Sequence, residues 1–212
     1  HPPSREHAGG RRNIGLVSPL GYTSPNCSRH PCSSALSVST ARPHLAMSKP
    51  TISLIKGFCV GGGCEFSMAT DIRIAANNSQ FGIPIARLGI LVGYREMRRL
   101  VNMVGPGNAS YILLSGRLID AQEALRIGLV TQVVPLGEIQ AYADGLVQEI
   151  KDLAPLSHKR TKQILQIVQR NPSLTGLTLE EEHLPFTNFD SEDFHEGRRA
   201  FIERRPPQFT GK

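Results

Sequence analysis

Three consecutive glycines, Gly61 to Gly63, are followed two positions later by Glu65 in the stretch GFCVGGGCEFSMATD, Gly57 to Asp71. A bare backbone lets a ligand approach the main chain where no Cβ intrudes. A helix starting at the glycines would aim free N–H groups and its positive dipole end at that ligand, which suits an anion or a developing oxyanion. Glu65, in the first turn, is placed to serve the same pocket as an acid or base. The competing reading is a plain tight turn whose glutamate only favours the helix N-terminus. A dinucleotide fingerprint fails on spacing, because Phe66 stands where the third glycine belongs. A phosphate loop is excluded, since no Gly-Lys-Ser/Thr follows.

The elements around the turn follow from pattern. TISLIKGFCV, residues 51–60, is β-branched and apolar and reads as a buried strand leading into the glycines. GCEFSMATD reads as a helix, and IRIAA (Ile72–Ala76) as a second strand. QFGIPIARLGILVG mixes strand and loop. REMRRLVNMVG is helical with Gly105 as its stop, and NASYILLSG is another helix. DAQEALRIG has Asp120 as N-cap, Glu123 in the capping-box position and Gly128 at the end. LVTQVV is a strand. Helical stretches follow over 136–153, 156–169 and 178–205. Strands mixed with helices, then helices alone, make an α/β protein.

The totals bound the reading. With 212 residues the chain can bury a sizeable core. No apolar run approaches the roughly 18 residues of a membrane span. The net charge of +6 does not point to nucleic acid. Residues 1–64 hold seven Lys/Arg and one acid, whereas residues 65–212 hold 17 of each sign. The excess therefore belongs to the N-terminal segment. Cys27, Cys32, Cys59 and Cys64 form two pairs with four residues between. A zinc reading is weak because Cys59 lies in an apparent buried strand, so Cys59 and Cys64 read as small apolar residues. His158, His183 and His195 have no partner at metal-ligand spacing, and no G-x-S-x-G occurs. Glu180–His183 reads as a solvated helix face.

Residues 1–46 are rich in Ser, Pro and Arg and lack a sustained period. A transit peptide, a disordered tail and foreign sequence joined to a real domain compete. The last is adopted, with Met47 as a possible internal start. The expected organisation is a leader over 1–46 and one domain over 47–212, of which 136–212 is helical.

The run KPTISLIKGFCVGGGCEFSMATDIRIAANNSQFGIP, with LSGRLIDAQEALRIGLVTQVVP and EDFHEGRRAFIERRPPQFTG in the same order, resembles the enoyl-CoA hydratase/isomerase, or crotonase, family over about residues 48–212. The resemblance implies a crotonase-like β-β-α spiral with a C-terminal helical region, assembled as trimers or pairs of trimers. It implies acyl-CoA thioesters as substrates, with coenzyme A entering only as the thioester and no separate cofactor or metal. No nucleic-acid or membrane partner is expected. In the family two backbone N–H groups hold the thioester oxygen as an enolate forms, and one matches Gly62. Loss of such a donor typically costs about 3 kcal/mol of transition-state stabilisation. The first of two hydratase glutamates matches Glu65. Gly61, Gly63 and Ile85 then line the substrate pocket, and Phe201 and Arg204 match an aromatic and a basic residue that reach the CoA nucleotide.

The match also has departures. The second glutamate falls at Ile85, which cannot transfer a proton. The loop that follows, glycine-rich in the family, carries Tyr94, Arg95 and Glu96. Tyr94 and Glu96 are candidates for a substitute acid, the alternative being surface positions at a helix start. The front half of the family pattern, with its other oxyanion donor, is not matched, and HAGGRR (His7–Arg12) is a coincidental likeness. Exposed core and aggregation are expected from that loss. The resulting expectation is hydration of a 2-enoyl-CoA. The alternatives are isomerisation or another enolate-stabilising reaction by Glu65 alone, and a non-catalytic CoA-binding subunit. The expected compartment is the cytoplasm, or the mitochondrial matrix if the leader is a transit peptide.

Overall fold

The computed structural model describes the backbone of residues 15–17 and all of residues 47–212. The His7–Arg12 string, Cys27 and Cys32 lie outside the described residues. Among those residues no helix is long and apolar enough to cross a membrane.

Two sheets lie at the centre. One is parallel and has four strands: β1 (Gly15–Val17), β2 (Thr51–Ile55), β4 (Ile72–Ala76) and β7 (Gln132–Val134), in that spatial order. The other has three: β3 (Phe58–Val60), β5 (Gln80–Gly82) and β6 (Ile119–Asp120). β3 and β5 run parallel, and β5 and β6 antiparallel. The chain alternates between sheets, so β2–β3 followed by helix α1 (Gly62–Ser67), and β4–β5 followed by helix α2 (Tyr94–Ser115), are two β-β-α turns of a spiral.

The run 51–60 is therefore two strands in different sheets, not the single strand that its composition predicts. Gly57, at φ +74°, ends β2 and swings the chain across. A residue with a Cβ rarely adopts that conformation. The Gly57 carbonyl then accepts the N–H of Gln80 at 3.0 Å, which seats β5 beside β3.

All five residues of β2 are buried, as expected of a parallel strand covered on both faces. Ile52 and Leu54 join Ile74, Ala76 and Val134 in a cluster with Ile139 and Ala143. Those two belong to helix α4 (Ile139–Lys151). Ile55 and Ala75, on the opposite face, join a larger cluster with Cys59, Cys64, Phe81, Leu100, Ile112 and Leu129. The first sheet thus separates two cores. The buried hydroxyls on β2 are satisfied: Ser53 and Thr70 share a hydrogen bond at 2.9 Å. Thr51 donates its N–H and its Oγ1 hydrogen to Asp71 Oδ2, each at 2.7 Å.

Helix α2 is broken where Gly105 adopts φ 76°, ψ 163°, and Pro106 opens its second half. Gly116 ends it in the left-handed conformation. Helix α3 (Ala121–Arg126) is capped by the Asp120 carboxylate, which accepts the Glu123 N–H at 2.8 Å. The Glu123 carboxylate pairs with Arg126 in place of closing the expected capping box. Helix α5 (Pro155–Arg170) is fastened to the parallel sheet by buried Lys162, whose Nζ donates to Asp71 Oδ2 at 2.6 Å. Helix α6 (Leu179–His183) has a full capping box between Thr178 and Glu181. Glu181 also pairs with Arg170, so the Glu180–His183 face is tied down at that residue and not wholly solvated. Helix α7 (Glu192–Glu203) is closed by the chain end folding back, where Asp193 accepts the N–H groups of Thr210 and Gly211.

Candidate active site

The glycine turn forms at the end of β3. Gly61 takes φ 58°, ψ −125°, a conformation that excludes most side chains. Its N–H donates to the Gly82 carbonyl at 2.8 Å, anchoring the turn to β5. Gly62 is exposed and opens α1. Among the described residues its N–H has no partner, as the first N–H of a helix cannot find one within the helix. A Cβ placed on Gly61 or Gly63 would meet nothing within 4 Å, so space adjoins the turn.

Glu65 sits in that helix's first turn, half-buried, and no hydrogen bond to its carboxylate occurs among the described residues. Burial, and then the charge of Glu96, raise its pKa above the ordinary glutamate value. Glu96 lies in the first turn of α2, half-buried, with its carboxylate folded back so that a Cβ on Gly93 would stand 2.7 Å from Oε2. The fold therefore brings Glu65 within electrostatic reach of Glu96, 31 positions along the chain. Tyr94, in the same turn, is 98% exposed.

Ile85 begins a short 3-10 turn and packs its partly buried side chain against the larger core. The second carboxylate position of the resemblance is thus filled by hydrocarbon. Cys59 and Cys64 are buried beneath the glycine turn. Cys59 lies 3.6 Å from Ser67 Oγ, and that hydroxyl donates to the Cys64 carbonyl at 2.8 Å. The hydrogen bond with Cys59, and then burial, push the Cys64 thiol well above its usual range. It is an inert packing group. Among the described residues no three His, Cys, Asp or Glu side chains group as a metal site.

Phe201 and Arg204 lie together at the end of α7, both exposed. Arg204 has no ion pair among the described residues, whereas its neighbour Arg205 is held by Glu196 and Glu203. The Arg205 guanidinium, with the Gln208 N–H, holds the Glu196 carboxyl down at about 2. No hydrogen bond, ion pair or ring contact links Phe201 or Arg204 to the glycine turn.

Two supports escape sequence reading. Arg73 is buried and donates Nε to the Leu129 carbonyl at 2.8 Å and Nη1 to the Thr70 carbonyl at 2.7 Å, fixing the loop that leaves α1. Asp71, the last residue of the opening stretch, is the hub for Thr51 and Lys162 described above. An arginine on an apolar strand is the one visible signal for Arg73. Nothing local marks the partner of Asp71.

The family model for enoyl-CoA hydratase/isomerase matches residues 37–212. The chain is 38% identical over 165 residues to a probable enoyl-CoA hydratase from Mycobacterium bovis, covering 78% of this chain and 64% of that one. It is 36% identical over 183 residues to the 2,3-dehydroadipyl-CoA hydratase of Escherichia coli, covering 84% and 71%. The crystal structure of an enoyl-CoA hydratase/carnithine racemase from Magnetospirillum magneticum superposes with a TM-score of 0.77 at 32% identity, covering 82% of this chain and 64% of that one. The chain thus spans less than two thirds of the length of the first and third of these relatives. The spiral of β-β-α turns, the glycine turn with its glutamate and these matches together place the chain in the enoyl-CoA hydratase/isomerase family.

Proposed function

We propose that the chain hydrates a 2-enoyl-CoA. The observation that carries the reading is Glu65: a half-buried carboxylate without a hydrogen-bond partner among the described residues, three positions from the free N–H of Gly62. The thioester oxygen accepts the Gly62 N–H. As the water oxygen bonds to C3, one of its O–H bonds breaks and that proton passes to a carboxylate, the C2=C3 pair moves to C1–C2 and the carbonyl π pair moves onto the thioester oxygen as an enolate, which then takes up a proton at C2. The backbone donor is worth most on the enolate, where the charge is largest. Glu65 moves the proton, and its raised pKa brings the acid form closer to working pH. Glu96 is the substitute for the carboxylate that Ile85 lacks, with Tyr94 the weaker candidate because of its exposure.

Gly61 and Gly63 give the thioester access to the main chain. Phe201 and Arg204 meet the CoA nucleotide, the guanidinium facing phosphate. Coenzyme A enters as part of the substrate and no other cofactor is invoked. The working assembly is a homotrimer or a pair of trimers, in the cytoplasm, with the mitochondrial matrix as the alternative if the basic leader is a transit peptide.

The hydrocarbon at Ile85 favours a second reading, in which Glu65 alone serves an isomerase or another enolate-stabilising reaction. A binding-only subunit is the third. Mass analysis of a short 2-enoyl-CoA incubated with the chain and with its Glu65→Gln variant separates them. Hydration adds one water, and the variant is expected to be slower by about 10²–10⁴-fold. Isomerisation leaves the mass unchanged while the double bond moves. Binding without turnover, indifferent to Glu65→Gln, would sink both catalytic readings.

A further inference from the structure

A groove of about 620 Å³ lies between the first turns of α2 and the end of α5, with Arg95, Arg98, Arg99, Asn102, Gln169 and Arg170 among its walls. No acidic side chain lines it among the described residues. Arg170 is neutralised by Glu181. Arg98 reaches only a backbone carbonyl, donating Nη2 to Gln169 at 3.1 Å. Arg95 has no ion pair among the described residues, and the Nη1 atom of Arg99 is buried with no hydrogen-bond partner. Three guanidinium groups thus line the groove with no ion pair among the described residues. Guanidinium forks match carboxylates bidentately.

The groove is not remote from the glutamates. Arg95 precedes Glu96 and Arg99 follows it one turn later on α2, and the Glu96 carboxylate folds back over Gly93 at the helix start. From the proximity of groove and carboxylates we infer that the groove receives a carboxylate at the far end of the acyl chain, so that the substrate is the CoA thioester of an unsaturated dicarboxylic acid. The inference rests on the reading of Glu65 as the acid/base of an acyl-CoA reaction. A methyl-ended chain would lay apolar surface against the guanidinium groups of Arg95 and Arg98, so the site should discriminate strongly between the two.

Calorimetric titration of the full chain with a saturated dicarboxylic mono-CoA thioester, beside its methyl-ended counterpart of equal length, tests this without requiring turnover. The diacid ester is expected to bind at least about tenfold more tightly. Arg95→Met and Arg98→Met, made separately, should each lower the ratio of the two affinities several-fold. That ratio is insensitive to a general loss of folded protein. Inorganic phosphate should compete with the diacid ester and leave the methyl-ended one unaffected. Equal affinities, or a preference that survives both substitutions, would overturn the inference. So would phosphate that binds without weakening the diacid ester, since the groove would then serve a free anion. The reading of Glu65 is scored separately, by addition of water to the matching unsaturated thioesters. A diacid preference without water gain would refute hydration alone, and water gain without the preference would refute the groove alone.

Discussion

Glu65 is held where an acid is useful and a charge is unwelcome. Its pKa in the folded chain lies above the ordinary value near 4.5, first through burial and then through Glu96. A carboxyl of this kind binds its proton more tightly folded than unfolded. Its cost to stability is absent below the unfolded pKa and grows as pH rises through the folded one. Glu65→Gln removes that cost, so at pH 7 urea denaturation of the variant should show equal or greater stability, although its turnover falls. A drop in stability would mean that the carboxylate has a structural partner. Glu96→Gln removes the repelling charge and lets Glu65 ionise more readily. The limb of the kcat/KM profile that reports Glu65 should therefore move to lower pH. An unmoved limb would separate the two carboxylates functionally.

The glycine turn owes its shape to the neighbouring element. The Gly82 carbonyl on β5 holds the Gly61 N–H, and β5 is itself pressed against β6. A Cβ on Gly82 would lie 2.7 Å from Leu118 Cδ2 and 2.9 Å from the Arg117 carbonyl. The leucine tip can rotate away, but the backbone oxygen cannot without opening the β5–β6 pair. Gly82→Ala is expected to cost about 1–3 kcal/mol in denaturant. It should also lower kcat/KM, because the carbonyl that sets the turn moves with the strand. Full activity in a destabilised variant would show that the turn keeps its form without that anchor.

At the scale of the molecule, the parallel sheet divides the interior, and only one side reaches the site. Cys64, Phe81 and Leu100 belong to the core beneath the glycine turn and α2, whereas Ile139 packs with Ile52 and Ile74 on the α4 side. Ile139 and Phe81 are both fully buried. Ile139→Ala should cost about 2–5 kcal/mol and Phe81→Ala about 3–5 kcal/mol. Under conditions where both variants remain folded, acyl-CoA affinity should be kept in Ile139→Ala and lost in Phe81→Ala. Equal damage to binding would mean that the sheet transmits strain between the two cores.

What the sequence determined by itself was local. The glycines with Glu65, the Asp120 cap and the stop at Gly105 are set by backbone sterics and first-turn hydrogen bonds within a few residues, and all were legible. So was family membership, which several ordered motifs carry together. The break at Gly57 was not legible, because Lys56 and Gly57 interrupt an apolar run too briefly to reveal that its halves enter different sheets. The approach of Glu96 to Glu65 depends on where α2 docks, and Asp71 meets Lys162 from 91 positions away. The arginine groove closes only when α5 brings Gln169 to Arg98, 71 positions along the chain. Such contacts are chosen by packing of distant apolar faces, and no short window of residues contains both partners.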